Sequence, residues 1–237
     1  MYLITRPLPK LAATSDAFAN HGLCASVVAL QDIQVIDHAI LTLTQWLTAN
    51  PHSTLIVTST AAAQPLLTHC LPLLSRCQLI TVGQSTAHLF AQAGLSTVVP
   101  EQENSEGVLA LPSLKDCADQ RILLLKGKGG RHAINHELQN RGARLSVIDL
   151  YQRVPLNAPV FSQAPRWSEI HGIIATSGEQ AQALINEFNT QPLATYRWLT
   201  VSERIAQQLH EQGIRHVYIC PKASNEALIE WIQQNWE

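Results

Sequence analysis

The stretch Thr81-Val82-Gly83-Gln84-Ser85-Thr86-Ala87-His88-Leu89-Phe90-Ala91-Gln92-Ala93-Gly94 returns, altered, 119 residues later as Thr200-Val201-Ser202-Glu203-Arg204-Ile205-Ala206-Gln207-Gln208-Leu209-His210-Glu211-Gln212-Gly213. Over residues 81–111 and 200–230 the two copies share Thr81/Thr200, Val82/Val201, Ala87/Ala206, Gly94/Gly213, Val98/Val217, Ser105/Ser224 and Leu109/Leu228. Those are seven identities in 31 positions, where ordinary composition gives about two. Each copy reads as the end of a β-branched run, a short polar turn, an apolar pattern spaced near 3.6 residues, and a glycine. The glycine suits a helix that ends in the left-handed conformation. Strand, turn and helix in succession form the repeating unit of a parallel sheet.

Further matches lie at nearly the same offset. Shifted by 118, Ile56-Val57-Thr58-Ser59 falls on Ile174-Ala175-Thr176-Ser177, and shifted by 120, Ser26-Val27 falls on Ser146-Val147 and Gly22 on Gly142. The chain therefore reads as an internal duplication. Strands are predicted at 2–5, 25–30, 54–58, 78–82, 97–99, 121–126, 145–149, 170–175, 196–201 and 216–220. Gly22, Gly94, Gly142 and Gly213 are placed just past helices. The fold class that follows is α/β, as two flavodoxin-like parallel-sheet domains.

The 237 residues are 46% hydrophobic and 14% charged, enough apolar surface for a core and too little charge for disorder. The net charge of −2 excludes a general electrostatic grip on nucleic acid. Of 16 cations 11 are arginines, the better residue for forked recognition of carboxylates. Five cysteines without a CxxC pair fit reduced thiols. The start, Met1-Tyr2-Leu3-Ile4-Thr5-Arg6-Pro7, has no secretion signal. Between Ala39 and Pro100 the only charge is Arg76, yet prolines, glutamines and threonines break the run well short of a bilayer span. A cytoplasmic protein that meets neither membrane nor nucleic acid is the expectation.

Open parallel sheets bind ligands beyond the carboxyl ends of their strands. Those positions here hold Thr5-Arg6, Thr58-Ser59, Gly83-Gln84-Ser85, Asn104-Ser105, the loop from Lys126 to Arg131, Thr176-Ser177-Gly178, Ser202-Glu203-Arg204 and Ser224-Asn225. Helix N-termini there present unpaired N–H groups and positive dipole ends, which attract carboxylates or phosphates. Each hydroxyl taken alone also reads as a helix N-cap. Lys126-Gly127-Lys128-Gly129-Gly130-Arg131 is not a Walker A loop, since glycine follows Lys128, and not GxGxxG, since His132 takes the third glycine's place. His132 and His136 sit four apart without a third ligand, so no metal site is expected. No GxSxG turn or Ser-His-Asp spacing is present, and the five tryptophans read as packing residues.

These segments resemble the uroporphyrinogen-III synthase family. The resemblance rests on Ile4-Thr5-Arg6-Pro7, Val57-Thr58-Ser59, Thr81 to Ala87, Ser105 to Leu109, Leu123 to Arg131, Arg141-Gly142-Ala143, Tyr151-Gln152-Arg153 and Ile174 to Glu179. Lys126 departs from it, standing where bacterial members often carry arginine. The resemblance implies a discontinuous domain 1 of 1–33 and 155–237, a domain 2 of 37–149, and linker strands at 31–36 and 150–155. It implies cyclisation of hydroxymethylbilane to uroporphyrinogen III with loss of water and inversion of ring D, without cofactor or metal.

The substrate's eight carboxylates suit helix N-termini and scattered arginines. On this resemblance Tyr151 is the candidate proton donor, and Arg6, Thr58, Ser59, Ser85, Lys128, Arg131, Thr176, Ser177, Ser202 and Ser224 are candidate carboxylate binders. A monomer is expected, in transient contact with hydroxymethylbilane synthase. The alternatives are a non-catalytic two-domain protein that binds an acidic metabolite or tetrapyrrole, and a catalytically silent relative.

Overall fold

The computed structural model describes residues 1–129 and 132–237. In chain order the regular elements begin with β1 (Tyr2–Thr5), α1 (Leu11–Asn20), β2 (Ala25–Val35), α2 (Asp37–Ala49), β3 (Thr54–Val57), α3 (Thr60–Leu74) and β4 (Gln78–Thr81). Next come α4 (Gln84–Gln92), α5 (Ser105–Ala110), α6 (Pro112–Lys115), β5 (Arg121–Gly127), α7 (Ala133–Asn140) and β6 (Arg144–Phe161). The chain closes with β7 (Gly172–Ala175), α8 (Gly178–Glu187), β8 (Arg197–Thr200), α9 (Glu203–Glu211), β9 (Val217–Ile219) and α10 (Asn225–Asn235). It divides into two compact units, Met1–Ile33 with Val154–Glu237, and Gln34–Arg153. Both changes of unit therefore occur inside long strands, β2 and β6.

In the first unit the parallel strands run β2–β1–β7–β8–β9. Counted along the unit this is the order 2-1-3-4-5 of doubly wound sheets. The central strand β1 is buried along its whole length, as expected of a parallel strand covered on both faces. Leu3 packs with Leu184, Trp198 and Leu209. Tyr2 and Ile4, on the alternate positions, pack with Phe18, Leu228 and Ile232. One face is thus covered by α8 and α9 and the other by α1 and α10.

The second unit pairs β4–β3–β5–β6, all parallel. Ile56, Ile80 and Leu124 meet Val108 and Leu138 on one face, while Leu55, Val57, Leu123 and Leu125 are fully buried at the alternate positions. The strand predicted at 97–99 is reduced to one bridging pair, Ile80 with Val98. Pro100, which has no N–H to donate, follows at once and stops the ladder. Conversely, β2 and β6 outrun the predicted 25–30 and 145–149 and extend through Val35 and Phe161. The four glycines behave as read: Gly22, Gly94, Gly142 and Gly213 have φ between 75° and 83°. The following Leu23, Leu95, Ala143 and Ile214 donate back to Phe18, Phe90, Leu138 and Leu209, the six-to-one bond of the Schellman motif.

Candidate functional site

The polar residues of the second unit collect where β3 and β5 end, beside the middle of β6. A cleft of about 300 Å³ opens there, lined among others by Thr58, Ser59, Asn104, Lys126, Tyr151 and Arg153. The strand β5 runs apolar from Ile122 to Leu125 and then delivers Lys126, whose side chain is 8% exposed. Its Nζ lies 3.1 Å from Asp149 Oδ1 and donates to Gly127 O at 3.4 Å. A buried ammonium of this kind needs such partners, because desolvation disfavours its charge.

Between Lys126 and Gly127 the ladder slips. Lys126 pairs with Asp149, but Gly127 pairs with Tyr151, so Leu150 is passed over. A bulge of this sort re-aims the side chain that follows it. Tyr151 is brought against the bare backbone of Gly127, where a Cβ would stand 2.5 Å from its Cζ. Tyr151 as a whole is 4% exposed, and Arg153 Cζ lies 5.8 Å from its ring centroid. Ser59 caps α3 by accepting the Ala62 N–H at 3.2 Å, and donates its own hydrogen to Tyr151 Oη at 3.1 Å.

Two neighbouring helix starts are met by acceptors from the protein itself. Glu103 Oε2 accepts the Gln84 N–H at the start of α4, at 3.0 Å. A Cβ at Gly83 would collide with that carboxylate, so glycine lets the acid reach the helix end. Asn104 caps α5 by accepting the Gly107 N–H at 2.8 Å. Thr58 is turned inward, its Oγ1 donating to Leu125 O at 3.1 Å. Ser85 is exposed on the first turn of α4, and Lys128 is exposed just past β5. Lys128 contributes a backbone bond, N–H to Tyr151 O at 2.8 Å. Arg131 lies outside the described residues.

The first unit carries the other candidates. Arg6 is 5% exposed. It donates through Nη1 to Thr176 Oγ1 at 2.7 Å and through Nη2 to Ala223 O at 3.1 Å and Asn225 Oδ1 at 2.9 Å. Burial pulls the guanidinium down to about 10, against the pull of Glu226 in the other direction, which leaves it cationic at neutral pH. Arg6 thus ties the turn before α8 to the turn before α10. Ser177, Ser202 and Ser224 cap α8, α9 and α10 by accepting the N–H of Gln180, Ile205 and Ala227.

Sequence reasoning placed Asn104 and Lys126 at the strand ends where ligands bind but kept them out of the candidate binders, and it named Arg153 only within the resemblance. A cation closing a wholly apolar strand was the available signal for Lys126. His132 and His136 are both exposed, and among the described residues no group of three His, Cys, Asp or Glu could hold a metal ion. No helix among them is long and apolar enough to cross a membrane. The tryptophans pack: Trp198 is fully buried and donates to Leu193 O at 2.9 Å.

The profile of one protein family, described as uroporphyrinogen-III synthase HemD, matches residues 12–230. The uroporphyrinogen-III synthase of Escherichia coli (strain K12) is 34% identical over 160 residues, covering 64% of this chain and 65% of that protein. Its Salmonella typhimurium (strain LT2) counterpart is 33% identical over 160 residues, with the same shares of both chains. The matched region thus spans just under two thirds of these relatives' length. Among solved structures, uroporphyrinogen-III synthetase from Helicobacter pylori 26695 superposes with a TM-score of 0.61 at 16% identity over 98% of both chains. A mutant uroporphyrinogen III synthase from the extremely thermophilic bacterium Thermus thermophilus does so with 0.59 at 15%, again over 98% of both. At such identities the superpositions speak for the fold, a mixed α/β fold built on parallel strands.

Proposed function

This chain belongs to the uroporphyrinogen-III synthase family, and from that premise we propose that it cyclises hydroxymethylbilane to uroporphyrinogen III, with loss of water and inversion of ring D. The observation that carries the reading is the Tyr151 hydroxyl set in a cleft with Lys126 and Arg153. A phenol carries one O–H that it can donate. It gives that proton to the hydroxyl leaving the terminal methylene, and the electron pair of the C–O bond departs with water. The azafulvenium that remains is attacked by the substituted carbon of ring D. A spiro intermediate forms, reopens and recloses with that ring inverted.

The electronics of this sequence reside in the substrate, so the protein's share is conformational control and one well-aimed proton. No cofactor or metal enters the scheme. In the unit 34–153 substrate carboxylates are met by Lys126 and Arg153 through charge-assisted bonds.

The same reading takes the chain as two flavodoxin-like domains from an internal duplication, 1–33 with 155–237 and 37–149, joined by linker strands at 31–36 and 150–155. The division into compact units at 33/34 and 153/154 supports it, as do the Schellman glycines repeated in both halves. It takes the protein as a cytoplasmic monomer that receives an unstable substrate from hydroxymethylbilane synthase. The test is an isomer ratio: purified protein is mixed with freshly generated hydroxymethylbilane, and the oxidised products are separated into type I and type III porphyrins. Type III in proportion to protein concentration is the expected result. Type I alone, at the spontaneous rate, refutes the synthase and leaves a binding protein.

A further inference from the structure

A serine hydroxyl has one hydrogen to give and two lone pairs with which to accept. Ser59 takes the Ala62 N–H as the cap of α3 and gives its hydrogen to Tyr151 Oη. The phenol oxygen therefore receives a hydrogen from the protein side, and its own proton is left for a group in the cleft. Gly127 backs the ring from behind, within van der Waals reach. Ring position and hydroxyl direction are thus set by two different residues.

We propose that Ser59 is a positioning residue for Tyr151: it holds the phenol proton toward the cleft and supports the charge that appears on the phenol oxygen once that proton has gone. This rests on the reading of Tyr151 as the acid. In the step concerned, the Tyr151 O–H bond breaks and the proton joins the substrate's hydroxyl oxygen. The C–O bond then cleaves with its electron pair leaving in water. The phenolate keeps the Ser59 hydrogen bond, and through Ser59 it adjoins the positive end of a 15-residue helix. It is reprotonated when the reclosed ring D sheds its ring hydrogen and becomes aromatic again. Since Ser59 spends its hydrogen on Tyr151, it is not a donor to a substrate carboxylate.

Two variants isolate the role. Ser59→Gly removes the hydroxyl but keeps a tolerable N-cap, and Ser59→Thr keeps both. Type III formation from fresh hydroxymethylbilane is measured for these, for Tyr151→Phe and for Ser59→Gly combined with Tyr151→Phe, with a thermal melt of each. Ser59→Gly should lower kcat about tenfold, the lower end for one hydrogen bond to a charged group, and leave KM within about twofold. Ser59→Thr should restore kcat, and in the Tyr151→Phe background Ser59→Gly should cost less than about twofold. A raised KM at unchanged kcat overturns the proposal, and so does an equal loss in both backgrounds. A slow Tyr151→Phe beside an unimpaired Ser59→Gly removes only the role of Ser59. Wild-type turnover of Tyr151→Phe removes the acid itself.

Discussion

Replacing Gly127 with alanine puts one methyl group into space that the Tyr151 ring already fills. The new Cβ would lie 2.5 Å from Cζ, 2.6 Å from Cε2 and 2.8 Å from the hydroxyl oxygen. Carbon atoms pack at about 3.5–4.0 Å, so the ring must give way by about 1 Å. Tyr151 as a whole is 4% exposed and has little room to do so. Overpacking of this kind costs about 1–3 kcal/mol, and the reduced freedom of alanine in the unfolded chain returns about 0.4–1 kcal/mol. The clash wins, with a net loss of about 1–2 kcal/mol.

The same shift breaks the 3.1 Å bond to Ser59, and a 1 Å misplacement of a reacting group can cost about 100-fold in rate. Gly127→Ala should therefore lose far more activity than stability. The assays are urea denaturation and type III formation, each repeated in a Tyr151→Ala background, where the ring is gone and the alanine should be neutral or mildly stabilising. Wild-type turnover with an unchanged urea midpoint would refute the packing argument. So would a stability loss that persists after the ring has been removed.

Three further outcomes are expected. Lys126→Met removes a buried charge beside Asp149; KM for hydroxymethylbilane should rise about tenfold or more, the range of a lost charge-assisted bond, while the unfolding free energy falls by about 1–3 kcal/mol because the buried Asp149 Oδ1 is left without its partner. Unchanged KM would take Lys126 out of carboxylate binding. Arg6→Lys cannot span Thr176, Ala223 and Asn225 together and should lower the unfolding free energy by about 2–4 kcal/mol, since these are buried bonds to a cation; a neutral result would mean that the three bonds are dispensable. In thiol titration at pH 8, Cys24, which is exposed, should react first. Cys77 should lag, because burial raises its pKa, against the opposing bonds from Ser53 and His52, and so leaves less thiolate. Equal rates for the two thiols would contradict this.

The parallel sheets were legible because their signals are local and repeated. Four glycines at equivalent places, three serines before helices in the second half, and runs such as Ile122 to Leu125 each carry their own structural reason. The cleft was legible only in part. Thr58, Ser59 and Tyr151 share its lining, but nothing local says that Leu150 is skipped in the pairing of β6 with β5. A bulge is a property of two strands, and its signature here, a glycine facing a tyrosine 24 residues on, appears only when the strands are laid side by side. Lys126 was legible as a charge at the end of a buried strand, whereas its burial depends on Asp149, a partner from another strand.

The capping serines show why residue type alone could not rank the candidates. Ser59, Ser177, Ser202 and Ser224 are alike in the sequence, each standing before a helix, and each accepts one backbone N–H as its cap. An N-cap uses a lone pair and leaves the hydroxyl hydrogen to be given elsewhere. Capping and ligand binding are therefore compatible uses of one serine, and the deciding fact is where that hydrogen goes. Ser59 gives it to Tyr151. Among the described residues, no protein acceptor takes the hydrogen of Ser177, Ser202 or Ser224. Four positions with one sequence signal thus divide into one whose hydrogen goes to a phenol and three whose hydrogens meet no protein acceptor among the described residues. Alanine at any of the three should raise KM and leave kcat in place, the opposite of the pattern expected at Ser59.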